Sequence, residues 1–166
     1  LPAGQGTILR DDMARLVGEL KEVIPATFES DHYRNRVAEI QQDFEDRHKA
    51  ALEKLQEDAL EHGLSLVPTP HGFALAPVRD GKVLPDEEFD KLPDEDKERL
   101  AKAMEHMSER IRRHLQSIPA WQQEHREMIR KLNREVTTLA TSRLMDQLEH
   151  KYASNAKILA YLRAVR

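Results

Sequence analysis

The sequence predicts a mainly α protein, built as an elongated antiparallel helical hairpin (a coiled-coil arm) with a small β-hairpin insert. Three observations support this prediction. Charged residues make up 34% of the chain and aromatic residues only 5%, a composition typical of long helices packed along narrow seams. Two long stretches place apolar residues three and four positions apart. Between them, residues 68–85 hold four of the eight prolines.

Composition also excludes several classes of protein. The chain has no cysteine, which excludes a disulfide framework, cysteine-ligated zinc and thiol catalysis. No apolar run approaches the roughly 20 residues that a membrane-spanning helix needs, so we expect no membrane partner and a cytoplasmic location. A net charge of -4 disfavours nucleic-acid binding over the whole surface.

The first predicted element is an amphipathic helix over residues 8–24. Pro25 is expected to end it, because the residue before a proline is pushed out of the helical region. The preceding stretch from Leu1 to Gly6 contains two glycines and is expected to form a loop. Because the chain does not start with Met, we also expect a piece of a longer protein.

The second predicted helix covers residues 30–62 and forms one side of the hairpin. Ser30 is a suitable N-cap, and Gly63 is a suitable residue just beyond the C-terminus. The apolar positions recur mostly in steps of three and four, and they are Tyr33, Val37, Ile40, Phe44, Ala51, Leu55 and Ala59. A helix of this length is more typical of a coiled-coil arm than of a globular domain.

Residues 63–93 are expected to form the β insert. Short strands are predicted over residues 64–67, 73–78 and 82–84, with turns at residues 68–72 and 79–81. Asp80-Gly81 between apolar runs is the stronger hairpin signal. Pro77 is expected to place its strand at an edge or in a bulge.

The third predicted helix covers residues 94–152, and part of it is expected to pair antiparallel with residues 30–62. Pro119 lies within it and need not break it; the alternative is that Pro119 is the first residue of a fresh helix after a short kink. Ser154 is expected to cap a last helix that reaches the end of the chain. In domain terms, residues 1–29 and 153–166 form base helices, residues 30–62 and 94–152 form the arm, and residues 63–93 form the insert.

Motifs for catalysis or cofactor binding are absent from the sequence. There is no Walker phosphate loop and no nucleophile elbow, and the histidines lack a zinc-protease spacing. Ser154 and Lys157 share a Ser-x-x-Lys spacing, which we interpret as a helix cap with an exposed lysine. His114 and His125 are interpreted as polar residues beside the helical seam. We therefore predict no catalytic residue, no metal ligand and no cofactor site in this chain.

Charge is distributed in two opposite blocks. Residues 86–98 carry a local net charge of -6, and residues 110–134 carry +5. The basic block defines a candidate nucleic-acid stripe of Arg112, Arg113, Arg126, Arg130, Lys131 and Arg134. The favoured interpretation of the stripe is a solvated helix face that pairs with acidic residues. Aromatic residues for stacking on bases are missing apart from Trp121.

Several stretches together carry a family resemblance. They are residues 1–6, Ile24-Pro-Ala-Thr-Phe-Glu-Ser-Asp-His-Tyr33, Gly72-Phe-Ala-Leu-Ala-Pro-Val78 through Phe89-Asp-Lys-Leu-Pro93, and Ile158-Leu-Ala-Tyr-Leu-Arg-Ala-Val-Arg166. In order and spacing the chain resembles the Lon-related ATP-dependent proteases, the bacterial branch that includes the LonC-type Lon-like proteases. The resembling part is the helical, coiled-coil-bearing region associated with the AAA-type module.

The resemblance implies a parent protein with an AAA-type module and a Ser–Lys protease domain, assembled as a ring of six. It also implies ATP and Mg²⁺ as cofactors of the parent. This chain contains neither the Walker motifs nor the segment that bears the dyad, so the resemblance supplies no catalytic residue here. The base helices at residues 1–29 and 153–166 would join the AAA-type body.

From these observations the expected function is that of a substrate-engaging or gating arm of a Lon-like protease. Unfolded proteins are the expected partners, together with other copies of the chain in the ring. The candidate substrate contacts are the apolar residues of the insert, Phe73, Leu75, Val83 and Phe89; for Phe73 and Phe89 a small local core is the favoured alternative. Two further functions stay open: a structural coiled-coil spacer that orders the hexamer, and DNA anchoring through the basic stripe.

Overall fold

A computed structural model describes residues 4–70 and 72–165. Within these residues the chain forms five helices and three strands, so the mainly α class with a small β insert is confirmed. The elements in chain order are α1 (Gln5–Glu29), α2 (Asp31–Glu61), β1 (Leu64–Thr69), β2 (Gly72–Arg79), β3 (Lys82–Val83), α3 (Asp86–Phe89), α4 (Asp94–Lys151) and α5 (Ala156–Val165). In the described part of the chain, no helix combines the length and the apolar character needed to cross a membrane.

The chain divides into two compact units. The terminal unit comprises residues 4–41 and 126–165, and the central unit comprises residues 42–125. The division falls inside α2 and α4, whereas the sequence led us to expect boundaries near residues 30, 63, 93 and 152. That three-part division stays a prediction.

The core of the terminal unit joins α1, the end of α4 and α5. Its buried residues are Leu16, Met145, Leu148, Tyr152, Ile158 and Leu162. The start of α2 is also tied to α4, because the Tyr33 hydroxyl donates a 2.7 Å hydrogen bond to the side-chain oxygen of Asn133. The apolar spacing of α1 and α5 therefore serves a shared core.

Both prolines are tolerated inside helices, which corrects the expected end at Pro25 and agrees with the expectation that Pro119 need not break its helix. α1 runs through Pro25 to Glu29, and α4 runs through Pro119 without a second start. The expected loop over residues 1–6 is also wrong at Gln5 and Gly6, which are helical, while Leu1–Ala3 lie outside the described residues. A proline costs a helix one hydrogen bond, and packing of the surrounding turns compensates for that loss.

The helix caps are set by short polar side chains. Ser30 caps α2 as predicted, since its hydroxyl accepts a 3.2 Å hydrogen bond from the backbone N–H of Tyr33. The predicted cap at Ser154 is wrong by one residue: Asn155 caps α5 by accepting the N–H of Ile158 at 3.2 Å. Asn155 also donates to the side chain of Gln5 at 2.9 Å, which fixes it in the capping position.

In the central unit, α2 and α4 pack antiparallel. Arg47 pairs with Glu124, and Asp58 pairs with Arg110, so the partners run in opposite chain directions. The buried core lies where both helices meet the sheet, and it consists of Leu55, Ala59, Leu64, Leu100, Ala103 and Met107. The insert is therefore part of the same core as the helices beside it.

The insert is a three-stranded antiparallel sheet in the order β1-β2-β3. Asp80 and Gly81 have φ values of 50° and 77°, which confirms the predicted tight hairpin turn between β2 and β3. Gly63, with φ of 73°, ends α2 as predicted. His71, which falls in the predicted turn at residues 68–72, lies outside the described residues.

Pro77 corrects one expectation about the sheet. It lies in β2, which is the central strand, whereas a proline was expected at an edge or bulge. Pro77 pairs opposite Leu64 at the end of the β1 ladder, and its carbonyl accepts the N–H of Leu84 at 2.8 Å. Because β3 pairs only with residues 78 and 79, the missing N–H of Pro77 breaks no ladder bond between strands.

Candidate functional site

The four predicted substrate contacts do not form one surface. Leu75 and Phe89 are half-buried and pack against the core of the central unit. Phe73 and Val83 are exposed, with 39% and 53% of their surface accessible. The alternative of a small local core therefore fits Phe89, whereas Phe73 keeps a substantial exposed surface.

The strand register assigns Phe73 and Val83 to opposite faces of the sheet. Residues that pair directly across strands share a face, and the face alternates along each strand. Leu66 pairs with Leu75, so these two residues share a face. Phe73 precedes Leu75 by two positions in β2 and therefore lies on the same face. Val83 pairs with Val78, which lies on the other face.

Phe73 lines a groove between the sheet and α2. The groove has a volume of about 430 Å³ and is lined by Leu52, Glu53, Gln56, Glu57, Leu66 and Phe73. We call it the α2–β groove. Its floor is apolar, and two carboxylates stand on its rim. Among the described residues no Lys or Arg lines it.

The side chain of Gln56 closes the edge of β1 beside this groove. Its amide oxygen accepts the N–H of Leu66 at 2.9 Å, and its amide nitrogen donates to the hydroxyl of Ser65 at 3.2 Å. An edge strand normally offers its N–H groups to a further strand. Here the Leu66 donor is already occupied, and Pro68, the next residue facing this edge, has no N–H.

Sequence reasoning found Phe73 but missed the α2 side of the groove. Leu52, Glu53, Gln56 and Glu57 follow the spacing i, i+1, i+4 and i+5, which places them on one helix face. Leu52 lies next to the seam residue Ala51, and this second apolar residue beside the seam was the signal that the sequence offered. Which face of α2 meets the sheet depends on the packing of Leu55 and Ala59.

A second, larger cleft of the central unit is lined by the end of α2, by β2 and by the start of α4. Its volume is about 960 Å³, and its polar lining includes His62, Arg79, Asp96, Arg99 and His106. Arg99 is paired with Asp96 at 3.0 Å, and Nδ1 of His62 donates to the carbonyl oxygen of Asp58 at 2.7 Å. Most of these polar groups thus already have a hydrogen-bond or ion-pair partner within the chain. In residues 4–70 and 72–165, no three His, Cys, Asp or Glu side chains converge as metal ligands would.

The seam of the central unit contains an aromatic and histidine cluster. The rings of His48 and His114 stack with centroids 5.5 Å apart, and Trp121 meets both rings edge-on. Burial, and secondly the charge of His48, lower the pKa of His114 from its usual 6.5. Nε2 of His114 and of His125 is buried without a hydrogen-bond partner among the described residues. These positions agree with the prediction of seam histidines.

The candidate nucleic-acid stripe divides between the two units. Arg112 and Arg113 belong to the central unit, and both pair with Glu109. The remaining four residues belong to the terminal unit, where Lys131 lies 3.9 Å from Glu135. The paired arginines fit the interpretation of a solvated face better than that of a phosphate-binding stripe.

A buried polar network in the terminal unit was not predicted. Asp12 is only 7% exposed, and its carboxylate accepts hydrogen bonds from Lys151 at 2.6 and 2.7 Å and from the Tyr152 hydroxyl at 2.6 Å. The Lys151 hydrogen bond, followed by that of Tyr152, lowers the pKa of Asp12. Burial, followed by the contact with Asp12, raises the pKa of Tyr152 to about 12. Because each polar group is satisfied within the network, its role is to hold α1 against the end of α4.

Comparison with known proteins gave no relative from which a site could be transferred. A scan against protein-family models and searches of curated proteins and solved structures found no match to this chain. The site therefore has to be interpreted from its own geometry, in which the α2–β groove is the exposed apolar feature that contains a predicted contact residue.

Proposed function

We propose that this chain is a substrate-engaging arm of a Lon-like AAA-type protease that acts on unfolded proteins in the cytoplasm. The resemblance of the sequence to the Lon-related proteases supports the family. One structural observation supports the role: Phe73 is partly exposed in a groove with an apolar floor on the β insert. Folded proteins bury most of their large apolar side chains, whereas an unfolded chain exposes them and can place one in such a groove.

The size of the groove suits transient contact. Burying one large apolar side chain contributes roughly 1.5–3 kcal/mol. A Kd of 1 mM corresponds to about 4 kcal/mol, so a single side chain in the groove binds more weakly than that. An arm that engages and releases many unrelated sequences needs contacts of this strength. In the proposed parent, a hexamer with ATP and Mg²⁺, cleavage would occur in a separate Ser–Lys domain.

Binding of an unfolded protein to the 166-residue chain tests this proposal. We would titrate the chain into fluorescein-labelled, reduced and carboxymethylated lactalbumin and follow fluorescence anisotropy. Phe73→Ser should weaken binding about tenfold, because it removes roughly 1.5 kcal/mol of apolar contact. Leu139→Ser is the matched control, since it removes a side chain that is 74% exposed in the terminal unit.

Circular dichroism should show that both variants keep the helical content of the wild type. Equal binding by wild type and Phe73→Ser, or equal loss in both variants, would contradict a role for the groove. Absence of any binding by the wild-type chain would favour the structural spacer that orders the ring.

A further inference from the structure

We infer that the α2–β groove selects extended segments in which a large apolar side chain is flanked by Lys or Arg. This inference rests on the proposed function and adds a sequence preference to it. The preference follows from three properties of the groove: its apolar floor, its acidic rim and the closed edge of β1.

The floor accepts one large apolar side chain. Leu52 and Leu66 are half-buried, and Phe73 stands beside them with 39% of its surface exposed. A volume of about 430 Å³ accommodates a Leu or Phe side chain with its adjoining backbone. An apolar side chain placed here covers the exposed part of Phe73, which supplies the favourable contact.

The rim determines the charge of the residues on either side. Glu53 and Glu57 lie one helical turn apart on α2, and both are exposed. Lys49 lies 3.8 Å from Glu53 but does not line the groove, and its own side chain is 75% exposed. Basic side chains flanking the bound apolar residue would reach both carboxylates, whereas acidic flanks would be repelled.

The edge of β1 directs recognition to side chains. A peptide that adds a strand to a sheet gains its affinity from backbone hydrogen bonds, which are indifferent to sequence. At β1 the N–H of Leu66 is held by Gln56, and Pro68 has none to offer. A peptide at this groove therefore finds neither of these two backbone donors available, and the side chains that line the groove have to distinguish one sequence from another.

Three labelled peptides with a Gly/Ser background test the inference. One carries Phe between two Lys, the second carries Phe between two Glu, and the third carries Ser between two Lys. Each exposed ion pair contributes only modestly, but the first peptide gains two attractions where the second meets two repulsions, so the first should bind roughly tenfold more tightly at low salt. The difference should shrink at 0.5 M salt because the rim is solvent-exposed.

Charge reversal at the rim supplies the matched comparison. The double variant E53K/E57K should remove or invert the preference between the Lys-flanked and Glu-flanked peptides. The control E19K/E105K makes the same change in net charge at two exposed glutamates away from the groove, and it should keep the preference. If E53K/E57K fails to fold, E53Q/E57Q, which removes the same two charges without reversing them, should abolish the preference instead.

The outcomes separate the two proposals. Equal binding of both Phe peptides by the wild type, lost in Phe73→Ser, would overturn the charge preference and leave the arm function intact. A charge preference that persists in E53K/E57K, or that the control also loses, would overturn the assignment to Glu53 and Glu57. Binding of the Ser peptide as tightly as the Lys-flanked Phe peptide would overturn the groove as an apolar site.

Discussion

The hydroxyl of Tyr152 donates a 2.6 Å hydrogen bond to the carboxylate of Asp12, 140 residues earlier in the chain. The Lys151 ammonium contacts both oxygens of the same carboxylate. Asp12, two turns into α1, is thereby fixed to the C-terminal end of α4. Since two of the three side chains titrate with shifted pKa values, this contact makes the stability of the terminal unit depend on pH at both extremes.

At acidic pH, stability should fall as Asp12 becomes protonated. Its pKa is lowered in the folded protein, so its contribution is complete above the ordinary value of 3.8 and is lost as pH falls through the folded value. Asp12→Asn should lower the thermal midpoint at pH 7 and flatten its fall below about pH 4. Asp11→Asn, at an exposed neighbour, should keep the wild-type profile; identical profiles for the two variants would contradict the role of Asp12.

At alkaline pH, ionisation of Tyr152 should destabilise the folded chain. Because its pKa is raised from 10 to about 12, its contribution is complete below pH 10 and is lost as pH rises through about 12. Tyr152→Phe keeps the ring but removes this dependence, along with the hydrogen bond to Asp12. An absorbance titration of tyrosinate should lose its latest step in this variant, whereas Tyr161→Phe, at a half-exposed tyrosine, should retain it.

Shortening a buried side chain in the core of the central unit should lower the stability of the protein. Met107 has no accessible surface and packs among Leu55, Leu64 and Leu100. Met107→Ala should lower the free energy of unfolding by about 2–5 kcal/mol, measured with urea, because it removes buried contacts and leaves a cavity. Met128→Ala, at a side chain that is 53% exposed, should change it by no more than about 0.5 kcal/mol. A small effect at Met107 would mean that the core collapses around the gap.

Weakly acidic conditions should lower the stability of the folded chain through protonation of His114. Its pKa is lowered in the folded chain, so the neutral form is favoured there, and stability is lost as pH falls from 6.5 toward the folded value. His48 and Trp121 face this ring, and Arg47 lies 4.6 Å from the centre of Trp121. His114→Gln should reduce the fall in thermal midpoint between pH 7.5 and 5.5. The exposed His150→Gln should leave that fall unchanged.

Local signals in the sequence were sufficient for much of the fold. Ser30, Gly63 and the Asp80-Gly81 pair each act through their own backbone or a neighbour within three residues, so their roles follow from residue type alone. The two prolines inside helices did not follow in this way. Whether a helix tolerates Pro25 or Pro119 depends on the packing of turns far away in the chain, which the local pattern does not contain.

The candidate site was predicted only in part for a related reason. Phe73 stood out as an aromatic residue between turns, and the structure leaves it exposed. Its partners Leu52, Glu53 and Glu57 come from another element, and they meet Phe73 only because Leu66 and Leu75 pack their face of the sheet toward the helices. Predicting the groove would have required both the register of the sheet and the rotation of α2 about its own axis.

The course of α4 through Pro119 has an optical consequence. Pro119 has no N–H to donate to the carbonyl of Leu115, and two residues earlier the Ser117 hydroxyl bonds to the carbonyl of His114 at 2.7 Å. This turn therefore holds its backbone less firmly than its neighbours. The single tryptophan of the chain, Trp121, lies beside it against the ring of His114. We therefore expect the fluorescence of Trp121 to change when this helical turn opens and the ring contact with His114 is lost.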